Sequence, residues 1–108
     1  MNFQTVAERF EQSGAGTDDF KRLYKDAHDL MKSDAANTAL YFVIGVAAHA
    51  YVLNYEDQGV STAFAENAKT ILVGLNRKIG QALAAAPAER LQLLGEVACE
   101  YQFRVTDF

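Results

Sequence analysis

Between Ala39 and Leu53 every residue is apolar or glycine except His49, a run of 15 positions. A helix apolar around its whole circumference cannot lie on the surface of a water-soluble fold with one side turned to solvent. It must be covered on more than one side, by lipid, a ligand, neighbouring helices or another molecule. Lipid is the first to test. Fifteen residues span ~22 Å as helix, short of the ~30 Å hydrocarbon layer. Widening the segment to 37–57 brings in Thr38 and Asn54, with Asp34 before it and Glu56-Asp57 at its end. No Lys/Arg cluster sets an orientation. The sequence therefore predicts no membrane span.

Projected on a helix, Leu40, Ile44, Ala47, Ala48, Tyr51 and Tyr55 form a core face. Ala39, Val43, Val46, Ala50 and Leu53 form a second, equally apolar face. The narrow line Thr38, Gly45, His49 and Glu56, interrupted by Phe42, is the predicted wet side. Two apolar faces need two sets of neighbours. The preferred reading is a homodimer with Val43, Val46, Ala50 and Leu53 in its interface; the alternative is a central place for this helix within its own bundle.

The rest of the chain supplies ordinary amphipathic helices. A short one carries Phe3, Val6, Ala7 and Phe10 up to the break at Gly14-Ala15-Gly16. The second, capped by Thr17 or Asp18, has the stripe Phe20, Leu23, Tyr24, Ala27, Leu30 and Met31. Ser33 or Asp34 is the predicted cap of the apolar helix, and Gln58-Gly59 its end. A fourth starts at Ser61 or Thr62 with the stripe Phe64, Ala68, Ile71, Leu72, Leu75, Ile79 and Ala82, leaving Val73 on its polar side. Pro87 opens the last, whose expected seam is Leu91, Leu94, Ala98, Tyr101 and Val105. Leu93 and Phe103 lie off that seam, and helix is expected to about Arg104, with a tail beyond. This predicts an all-α chain forming one domain over 1–108, an antiparallel four-helix bundle with a short extra N-terminal helix.

Charge and motifs narrow the function. Fourteen acidic residues outnumber 10 basic ones. Asp18, Asp19, Asp26 and Asp29 interleave with Lys21, Arg22 and Lys25, which leaves no basic stripe for nucleic acid. The single Cys99 forms no intrachain disulfide and sits at the edge of the last seam, where a buried thiol is expected. With a start unlike a signal peptide, a cytoplasmic location follows by default. No Glu-x-x-His pair is present, no zinc spacing and no phosphate-binding glycine loop, so no metal or cofactor is expected. A ligand pocket, if present, would draw on His49, Tyr51 and Tyr55, beside Tyr41 and Phe64.

The stretch "AHDLMKSDAAN", residues 27–37, resembles the phosphorylatable segment of histidine-phosphotransfer domains. That resemblance implies a four-helix bundle with His28 as a solvent-facing phosphoacceptor and Lys32, one turn on, as the cation beside the phosphate. Met31 is an insertion against the family's pattern, and Ser33 stands where the family has glycine. The reading that accounts for most of the chain is a small acidic, non-enzymatic protein-interaction module of the adaptor, chaperone, immunity or regulatory kind.

Overall fold

Each of five α-helices starts at a residue suited to the task. The computed structural model describes residues 1–105, with no strand among them. Helix α1 (Phe3–Gln12) begins at Asn2, whose Oδ1 accepts the Thr5 backbone N–H at 2.9 Å. Helix α2 (Thr17–Ser33) is capped by Gly16 and not by Thr17 or Asp18, which lie inside its first turn; the Gly16 N–H donates to the Asp19 carboxylate at 3.2 Å. A 3-10 turn, Ala35–Asn37, leads into α3 (Thr38–Tyr55). Neither Ser33 nor Asp34 caps α3; Asn37 takes that place, because Asp34 is used one turn earlier to start the 3-10 turn. Ser61 opens α4 (Thr62–Leu83), its hydroxyl accepting the Phe64 N–H at 3.1 Å. Pro87, which has no N–H to leave unpaired, is the first residue of α5 (Pro87–Arg104). The helix stops at Arg104, as its pattern predicts; of the tail, residues 106–108 lie outside the described part.

Helix α3 is the hub. It packs most extensively on α2 and also meets α4 and α5, while α1 rests on α2 and α4, and α5 mainly on α4. A run of rings ties four helices together. Phe10 meets Phe20 edge-on with centroids 5.2 Å apart, and Phe20 stacks on Tyr51 at 3.9 Å. Tyr51 continues to Tyr55 at 5.0 Å, and Tyr55 meets Phe64 edge-on at 4.9 Å. Ion pairs at the rim, Arg9–Asp26, Arg77–Glu11 and Lys78–Glu100, join α1 to α2, α1 to α4 and α4 to α5. Their exposure keeps each of these weak.

Two helices sit at an angle different from the expected one. On α3, Gly45 is buried, not wet: a Cβ there would stand 3.8 Å from both Ala27 Cβ and Tyr24 Cδ1 of α2. This side of α3 is packed against α2, and the open side falls instead among apolar residues. On α5, Leu91 and Ala98 are exposed, whereas Val97 is fully buried and Leu93 is packed against the core. The reason is Arg90, which faces inward to bond to α4 and so turns the seam toward Leu93, Leu94, Val97 and Tyr101. Val73, assigned to the polar side of α4, is also packed against the core.

The helical run Ala35–Tyr55, with 21 residues and mean hydropathy 1.5, is long and apolar enough to cross a membrane. The shorter count from Ala39 to Leu53 missed this, because it stopped at polar residues that a helix passes through. Within this run Leu40, Tyr41, Ile44, Ala47, Ala48, Tyr51 and Val52 are buried by the chain's own helices.

Candidate functional site

The uncovered side of α3 is a stripe of large apolar residues. Phe42 is 56% exposed, Val46 38% and Leu53 70%. Ala39 is exposed in line with them, and His49 is half-exposed, its ring stacked on Tyr24 of α2 at 4.2 Å. Positions 39, 42, 46, 49 and 53 alternate steps of three and four, the spacing of a two-helix seam. Of the four interface residues read from the sequence, Val46 and Leu53 lie in this stripe. Val43 and Ala50 are half-buried, Val43 against the core. Phe42, read as an interruption of the wet line, belongs to the stripe. Exposed apolar residues clustered on one surface mark docking sites far more than single ones do.

The other sequence candidates are distributed differently. His28 and Lys32 are both exposed, one turn apart on α2. Tyr51, Tyr55 and His49 are not brought together: Tyr51 is fully buried in the ring stack with Tyr55 beside it, while His49 faces α2. The cause is helical geometry, since positions two apart point to nearly opposite sides. Cys99 is exposed, not buried, because the turned α5 seam carries it outward. No group of three or more potential metal ligands occurs among the described residues.

A second feature had no counterpart in the sequence reading. A cleft of about 800 Å³ opens between α1, the α2–α3 junction and the C-terminal half of α4. Its apolar wall includes Phe3, Ala7, Tyr41, Val73 and Leu83. At the junction the Tyr41 hydroxyl donates to Asp34 at 2.6 Å and the Asn37 amide donates at 3.0 Å. These donors, Tyr41 foremost, hold the Asp34 carboxyl below its ordinary value. Burial, with the Asp34 charge beside it, pushes the Tyr41 phenol well above the usual range. Arg90 completes the junction by donating to Asn37 Oδ1 at 3.0 Å.

Asn76 also lines this cleft. It is 3% exposed, and neither end of its amide has a hydrogen-bond partner. A buried amide without partners costs ~1–3 kcal/mol, so it marks either a strained spot or a site for something that supplies the bonds. The sequence did hold a signal: Asn76 falls four after Leu72 and three before Ile79, on the buried stripe of α4. Comparison with family models, curated proteins and solved structures returned no match for the chain.

Proposed function

We propose that the chain is a small non-enzymatic protein-interaction module that pairs with a second copy of itself through the outer stripe of α3. The carrying observation is the seam of Ala39, Phe42, Val46, His49 and Leu53, apolar but for its histidine and open to solvent. Its three-four spacing fits another helix, and its ends favour a two-fold, antiparallel pairing. In that pairing Asp57, after the α3 C-terminus, comes beside the positive N-terminal end of the other copy's α3 and the nearby Lys32, while Glu56 is already paired with Lys21 of its own chain. Val46, midway along the seam, then lies at the two-fold axis. The reading takes α2–α5 as an antiparallel four-helix bundle with α1 against it, supported by the short α2–α3 and α4–α5 connections. A reducing, cytoplasmic setting suits an exposed Cys99 with no second cysteine in the chain.

Mass measurement by light scattering across a concentration series tests this. The wild type should reach twice its chain mass, and Val46→Glu, which would set two carboxylates face to face, should stay a folded monomer by circular dichroism. A wild type that remains monomeric at millimolar concentration ends the self-pairing. Separately, the exposure of both His28 and Lys32 favours phosphotransfer as a second reading. Incubation with acetyl phosphate should then label wild type and not His28→Gln; no label on the wild type removes it.

A further inference from the structure

We infer that the cleft between α1 and α4 is a binding site for a flat, neutral small molecule with an adjacent hydrogen-bond donor and acceptor, such as a carboxamide, lactam or nucleobase edge. Three observations converge on that chemistry. The first is Asn76, whose side chain presents a donor and an acceptor side by side, both buried and both without a partner. The group that satisfies both ends at once is another amide-like edge, which offers the reverse pair.

The second is shape. The cleft volume of about 800 Å³ lies within the range of small-molecule sites, and apolar and aromatic side chains share the wall with a few polar groups. Gly80 stands one turn after Asn76 on the same face of α4, and no neighbouring atom lies within 4 Å of where its Cβ would be. The wall is therefore open one turn from Asn76.

The third is charge. Asp34, Glu8 and Glu11 line the cleft against one cation, Arg77, which is already paired with Glu11 at 3.0 Å. The surplus of carboxylates opposes an anion. This site shares no residue with the outer α3 stripe, so it stands or falls independently of self-pairing.

Benzamide, benzamidine and benzoate share a shape and differ in charge, which makes them suitable probes. In titrations of 15N-labelled protein, benzamide should shift the Asn76 side-chain NH2 resonance and the backbone amides of Gly80 and Ala7. Benzamidine, which offers donors but no acceptor for the Asn76 NH2, and benzoate, which offers acceptors but no donor for its oxygen, should each bind at least tenfold more weakly. Asn76→Leu should abolish the benzamide shifts while the thermal midpoint holds or rises. Gly80→Leu, which fills open space without displacing a neighbour, should keep the fold and also weaken benzamide at least tenfold. The inference is overturned if benzamide leaves the Asn76 side-chain resonance unmoved at 10 mM, if benzoate binds as well, or if either folded variant binds benzamide like the wild type. Asn76 held only by ordered water would give the first of these results.

Discussion

Replacing Arg90 with alanine tests how the end of the bundle is held together. One guanidinium reaches three acceptors: Ala82 O at 3.1 Å, Ala85 O at 3.0 Å and Asn37 Oδ1 at 3.0 Å. The two carbonyls belong to the last turn and exit of α4; Ala82 O already accepts a backbone N–H from Ala85 and takes the guanidinium as a further donor, and a cation there also suits the helix dipole. The third bond joins α5 to the α2–α3 junction. A hydrogen bond to a charged group is worth roughly 1.5–3 kcal/mol net, with the low end fitting a half-buried side chain. Three such bonds total ~4–5 kcal/mol, against which ordering a long side chain costs ~2 kcal/mol. The expected loss for Arg90→Ala is thus about 2–3 kcal/mol, near 10 °C in the thermal midpoint of a domain this size. Urea unfolding followed at 222 nm measures it. Arg90→Lys keeps the charge but offers no planar fork spanning three acceptors, so it should recover less than half. A loss under ~0.5 kcal/mol, or full recovery with lysine, would refute the argument.

Further outcomes follow from the packing and from the α2–α3 junction. Phe20→Ala removes the ring shared by Phe10 and Tyr51, and should cost ~3–5 kcal/mol in the same unfolding assay. Gly45→Ala should stabilise by ~0.5–1 kcal/mol through helix propensity, since the added methyl meets α2 at ordinary contact distance. Gly45→Leu at that position should instead lose ~1–3 kcal/mol by forcing α2 and α3 apart. Asp34, with a carboxyl pKa below 3.8 in the fold, contributes stability that is present above that unfolded value and lost as pH falls through the folded one. Acid titration of the urea midpoint should therefore steepen below about pH 4, and Tyr41→Phe, which removes the leading donor, should flatten that limb.

Much of the fold was legible in one dimension because helical periodicity and capping are local. The stripe Phe20, Leu23, Ala27 and Leu30 predicted the inner face of α2, and Pro87 and Ser61 marked helix starts by their own backbone chemistry. Rotation about the helix axis was harder wherever periodicity was blurred. Helix α3 is apolar all round, so its pattern named no outer face; the packing of its Gly45 side on α2 decided that, and Phe42 was left outside. Helix α5 looked settled by Leu91, Leu94 and Ala98, yet the inward bonds of Arg90 turned it.

The sequence by itself determined that this chain is helical, where α4 and α5 begin, and that one helix carries more apolar surface than a single core contact can cover. Those properties depend on residues within a few positions of each other. Which side of α3 stays open and that Asn76 is buried beside a cleft were decided only in three dimensions. Each depends on which distant helix arrives first and how closely it approaches, and that is set by small residues and inward-facing polar groups whose partners lie far along the chain.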